Sequence, residues 1–153
     1  MVMQTYTVSI FGHRRIYDFR KLGEELENMA KEVLESFEFV EFLVGRNGDF
    51  DEYAASVIKR VQKNMGSERC CLTLVLPYKL TDIEYYRAYY DSVVIPDELY
   101  GVYYKAAITE RNRYMIDKSD LVVAWCVRSE GGVYNAVKYA QSKGMPIKKI
   151  GTE

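Results

Sequence analysis

Five times along the chain, a short apolar, β-branched or aromatic run gives way to a stretch whose apolar residues recur every three or four positions. That alternation constrains the fold more than any other feature of the sequence. The first run is "TYTVSIFG" (5–12), followed by a stripe of Phe19, Leu22, Leu26, Met29, Val33 and Phe37. "FEFVEFLVG" (37–45) returns to strand chemistry. Phe50, Ala54, Val57, Val61 and Met65 then form a second stripe, opened by Asp49, Asp51 and Glu52, acids that suit the positive end of a helix dipole. "CCLTLVLPY" (70–78) is nearly all apolar, as expected for a strand covered on both faces. A tyrosine-rich segment (78–107) holds eight of the fourteen tyrosines and reads as a helix, a short strand at "SVVIP" and a loop. A helix over 104–118, the strand "DLVVAWCV" (120–127), a helix over 132–143 ending at Gly144, and an edge strand at "PIKKI" complete the chain.

Strands alternating with helices predict an α/β, Rossmann-like sandwich: a mostly parallel sheet flanked by helices. The 153 residues suit one domain, 1–153. Apolar residues at 48% and charged residues at 28% are a globular balance. A net charge of −1 supplies no global field for nucleic acid or an anionic membrane, so any anion must be held by a local site. No apolar run approaches a membrane span and the N-terminus lacks a signal-peptide layout, so the expected location is the cytoplasm. The three cysteines, Cys70, Cys71 and Cys126, lie in strand-like runs and read as reduced core residues. With a single histidine, neither a metal site nor a cofactor is expected.

Ligands of parallel α/β sheets bind beyond the carboxyl ends of the strands, which directs attention to four junctions. In "FGHRR", Gly12 ends a strand and His13, Arg14 and Arg15 follow, three potential cations suited to an anion or simply a solvated basic turn. In "VGRNGDFDEYAA", Gly45 and Gly48 bracket a loop entering a helix, and Asp49 or Asp51 either accepts ribose hydroxyls or caps that helix. In "AAITERNRYMIDKSD", Arg111 falls on the inward stripe between Ile108 and Met115 with Asn112 beside it. An inward arginine needs a partner, either a structural carboxylate or a ligand phosphate. In "SEGGVYNAVKYA", Glu130 precedes Gly131-Gly132, which open a helix N-terminus carrying Asn135 in its first turn.

Together, "FGHRR", "GRNGDFD", "ERNRYMIDKSDLVVAW" and "EGGVYNAVKYAQSKGMPI" resemble, in order and over nearly the whole chain, the SLOG superfamily (Smf/DprA and LOG), most closely its YpsA-like members. The resemblance implies a Rossmann-like fold binding nucleotides or nucleotide-derived ligands, NAD- or ADP-ribose-like ones included, in the strand-end cleft. LOG enzymes cut the N-glycosidic bond of nucleoside monophosphates with a catalytic arginine and glutamate. Glu110-Arg111 matches the first part of their motif, but Tyr134, Asn135 and Lys138 stand where a glycine, a threonine and the glutamate would be. An ammonium cannot replace that carboxylate, and Glu130 is a candidate substitute. The leading expectation is therefore a ligand-binding sensor or carrier. An N-glycosidase using Glu130, Asp49 or Asp51 is the alternative. A third reading is an interaction module, or a homodimer, that uses the tyrosine-rich segment 85–104 as its contact surface.

Overall fold

The computed structural model describes residues 4–152. Six strands form one all-parallel sheet in the order β4-β3-β2-β1-β5-β6. They are β1 (Thr5–Phe11), β2 (Phe39–Val44), β3 (Cys70–Val75), β4 (Ser92–Val94), β5 (Leu121–Ala124) and β6 (Ile147–Lys149). The helices are α1 (Phe19–Ser36), α2 (Asp49–Met65), α3 (Ile83–Tyr89), α4 (Tyr104–Asp117) and α5 (Gly132–Ser142), with a single 3₁₀ turn at Asp97–Leu99. The expected α/β sandwich is what the chain adopts, with every pairing parallel.

From the central β1 the chain steps outward through β2, β3 and β4, then returns to place β5 on the other side of β1. This reversal puts three helices on one face and two on the other. Leu22, Leu26, Met29 and Val33 of α1 and Phe50, Ala54, Val57 and Val61 of α2 pack with Val8, Ile10, Phe42 and Leu72. Met115 and Ile116 of α4 and Ala136 and Ala140 of α5 cover Phe11, Leu43, Val75 and Val122. The reversal also opens a crevice between the segments leaving β1 and β5, the switch-point position where such sheets take ligands.

Some details differ from the sequence reading. The stripe of α1 ends in exposed rings: Phe19 meets Tyr53 edge-on at 5.0 Å, and Phe37 stacks on Tyr6 at 3.7 Å. β5 stops at Ala124, so Cys126 lies in the following loop rather than in a core strand. Cys70 is buried and Cys71 only partly so, since adjacent strand residues face opposite sides. Burial pushes the Cys70 thiol up to about 11 and raises that of Cys71, which keeps both protonated. No helix among the described residues is long and apolar enough to cross a membrane.

An aromatic pile supports the crevice. Phe50, fully buried at the start of α2, meets Trp125 edge-on at 5.7 Å, and Trp125 meets His13 at 4.8 Å. Gly12 makes room for the pile, because a Cβ there would lie 1.6 Å from Phe50 Cδ1. Gly12→Ala therefore forces backbone and ring apart, and overpacking of this kind costs roughly 1–3 kcal/mol. Urea unfolding of this variant should show that loss, and an unchanged midpoint would mean the ring is not seated against Gly12.

Candidate functional site

At the carboxyl edge of the sheet lies a cleft of about 440 Å³, within the range of small-molecule sites. It gathers eleven of the thirteen residues singled out from the sequence: Gly12, His13, Arg14, Gly45, Gly48, Asp51, Arg111, Asn112, Glu130, Gly131 and Gly132. Asp49 and Asn135 are not in its lining. Asp49 is exposed and donates its N–H to the Arg14 carbonyl at 2.7 Å, while Asn135 N–H makes the first helical bond of α5, to Gly131 O. Residues that the sequence reading did not choose also line the cleft, among them Tyr17, Asn47, Ile108, Arg128 and Val133. Asn47 and Arg128 sit inside the very junctions that drew attention, but nothing in their spacing marks them.

Arg111 is the centre of the site. It is 2% exposed, and its guanidinium crosses the carboxyl edge of the sheet from α4. Nη1 donates to the Val75 carbonyl at the end of β3 (3.0 Å), Nη2 to Asn47 Oδ1 after β2 (2.5 Å), and Nε to Asn112 Oδ1 (2.9 Å). Gly45 allows this approach, since a Cβ there would lie 2.6 Å from Nη1. The guanidinium carries five N–H donors, and these bonds use three of them. No carboxylate forms a salt bridge with it among the described residues. Burial pulls its pKa down, while Asp51 and then Tyr78 oppose that shift.

Asp51, in the first turn of α2, accepts the Asn47 N–H at 2.8 Å. Burial pushes its carboxyl up from the ordinary value, against the Asn47 hydrogen bond and the charges of Arg111 and Arg14. Across the cleft, α5 begins without a side-chain cap or an acid in its first turn, which leaves its first N–H groups without intrahelical acceptors. Gly131 has φ +98°, a conformation that favours glycine, and a Cβ on Gly132 would meet nothing within 4 Å. Four arginines (Arg14, Arg15, Arg111 and Arg128) outnumber the lining carboxylates Asp51 and Glu130. The cleft is thus locally positive in a chain of net charge −1. Lys138 is outside the lining, with Nζ 5.4 Å from the Tyr134 ring centroid.

His13 is not a third cation: its Nε2 accepts the Val127 N–H at 2.9 Å, a bond that requires the neutral ring. Burial first, and then the nearby Arg128, lower its pKa below the ordinary 6.5. The unfolded chain therefore takes up this proton before the folded one. Stability from neutral His13 is complete above pH 6.5 and is lost as pH falls through 6.5 toward the lower folded value. Because the chain has one histidine, its NMR titration is unambiguous. The imidazole should titrate below 6.5, and a midpoint at or above that value would contradict the Val127 bond.

No family model matches the chain, and no curated protein sequence matches it. Solved structures do match. The X-ray structure of DNA processing protein A from Streptococcus pneumoniae aligns with a TM-score of 0.69 at 13% identity, over 97% of this chain and 51% of that one. DNA processing protein A from Helicobacter pylori, described for its single-stranded DNA binding mode, aligns at 0.65 and 17% identity, over 97% of this chain and 66% of that one. The Moco carrier protein of Chlamydomonas rheinhardtii aligns at 0.60 and 14% identity, over 98% of this chain and 78% of that one. The chain spans about half and about two thirds of the two DNA processing proteins, so the likeness covers only part of each. At these identities the likeness is one of fold: the chain shares its all-parallel α/β architecture with these proteins.

Proposed function

We propose that this protein binds a nucleotide or nucleotide-derived ligand, of the NAD or ADP-ribose kind, in the strand-end cleft and serves as its sensor or carrier. The observation that carries this reading is Arg111, a buried cation that lines the cleft with two N–H donors unspent and no carboxylate bonded to it among the described residues. A buried cation that no carboxylate bonds is costly, and a ligand phosphate at this point would stabilise it beyond what the field of Asp51 supplies. The uncapped start of α5 and the exposed Arg14, Arg15 and Arg128 add further donors for the same anion. Asn47, Asn112 and Asp51 offer acceptors and donors suited to sugar hydroxyls. The fold is shared with a protein described as binding single-stranded DNA and with a carrier of a cofactor, which supports ligand binding as its use here.

Arg111→Ala tests the reading. Affinity for a panel of nucleoside monophosphates, NAD and ADP-ribose should fall by roughly 1.5–3 kcal/mol, the range for charge-assisted hydrogen bonds. The unliganded fold should persist, because the change strands neutral acceptors rather than a carboxylate. Calorimetric titration and thermal melts of the one variant read both quantities. A collapse of the melting temperature with unchanged affinity in the surviving fold would assign Arg111 a structural role instead.

A second reading, an N-glycosidase, is favoured by Asp51, a carboxyl in the cleft whose proton affinity is raised by burial as a general acid requires. Lys138 speaks against the LOG version of that chemistry, since an ammonium outside the cleft supplies no carboxylate. Incubation with nucleoside monophosphates and NAD, followed by chromatography, should show no free base. Base released by the wild type and abolished in Asp51→Asn would establish the enzyme.

A further inference from the structure

The described chain exposes many tyrosines, yet only one of the strongly exposed set lines the cleft. Tyr17 is 80% exposed and belongs to the lining, whereas Tyr85, Tyr100, Tyr103 and Tyr104 do not. It stands on the segment between β1 and α1, which is tied down at three points. His13 accepts the Val127 N–H, Arg14 O accepts the Asp49 N–H, and Ile16 is buried in the core. Gly48 lets α2 close against this segment, since a Cβ there would lie 2.5 Å from Arg14 Cα. Tyr17 is thereby presented from a fixed base while its own ring has no aromatic partner among the described residues. Ile16 held inward turns its neighbours Arg15 and Tyr17 outward, so a cation and an aromatic face reach the cleft from one short segment.

We infer that Tyr17 is the residue that recognises the base of the ligand, by stacking its ring on a planar heteroaromatic one. This rests on the phosphate reading above and narrows it from any phosphate ester to a base-bearing nucleotide. An exposed aromatic face left in water gains little until another π-face covers it, and stacking of a base on an aromatic side chain tolerates every base. A phosphate held at the arginines and the start of α5 would leave the rest of a nucleotide free to lie across the lining, where Tyr17, Ile108 and Val133 supply apolar surface. The phenol hydroxyl has no part in this contact, so phenylalanine should replace tyrosine without loss.

Calorimetry with AMP, GMP, CMP, UMP and ADP-ribose, and with ribose 5-phosphate as the baseless control, tests the assignment in the wild type, Tyr17→Ala and Tyr17→Phe. Tyr17→Ala should weaken the base-bearing ligands by about tenfold to a hundredfold and leave ribose 5-phosphate unchanged, with Tyr17→Phe close to wild type. Equal weakening of all ligands would make Tyr17 a structural part of the cleft and overturn the inference. So would wild-type protein that binds ribose 5-phosphate as tightly as the nucleotides, an outcome that leaves the phosphate reading standing. If the wild type binds none of these ligands, both readings fall together.

Discussion

The site is organised by one guanidinium held where the two helical layers meet over the carboxyl edge of the sheet. Arg111 comes from α4 on one face, while Asp51 comes from α2 on the other. Between them, the guanidinium bonds the end of β3 and the loop after β2. Burying an arginine there removes its hydration, and neutral carbonyl and amide oxygens replace only part of it. The surrounding chain is shaped to this requirement. Gly45 clears the space, Asn47 turns an oxygen toward Nη2, and the Asn47 N–H is in turn held by Asp51. Asp51 lends this cation its field without bonding it, and no carboxylate among the described residues forms a salt bridge with the guanidinium that lines the cleft.

The reversal of strand order at β1 gives that charge somewhere to act. Segments leaving β1 and β5 diverge to opposite faces, and the crevice between them is walled by His13–Arg15 on one side and by Arg128, Glu130, Gly131 and Gly132 on the other. The hydrogen bond from Val127 to His13 ties these walls together, with Trp125 and Phe50 packed beneath. The histidine thus works as a neutral strut. A protonated imidazole there would lose its acceptor and face Arg128.

Much of this was legible along the chain. Parallel strands buried on both faces demand continuous apolar runs, and covering helices demand stripes, so the order of elements follows from periodicity. The strand-end rule then pointed to the four junctions, and Arg111 stood out because a charge on an apolar stripe contradicts its neighbours. Asn47, Tyr17 and Arg128 were not legible, since polar or aromatic residues in loops carry no periodicity and their direction depends on what the loop packs against. The misreading of His13 has the same origin: two adjacent arginines suggest a cationic patch, whereas a backbone N–H 114 positions away decides its protonation. Asp49 and Asp51 likewise look equivalent in sequence, yet the helix turn leaves one in water and brings the other into the cleft.

The sequence by itself determined the α/β class, the succession of elements, the lack of a global field for polyanions, and the residues with which a phosphate could be met. These are local or compositional properties, written in spacing and charge. Only the tertiary structure decided which candidates share one cleft, that the arginine at its centre is bonded by no carboxylate among the described residues, and that the histidine is an acceptor. Those facts depend on distances between segments far apart in the chain. Such distances are set by the packing of helices across a sheet whose strand order reverses at β1.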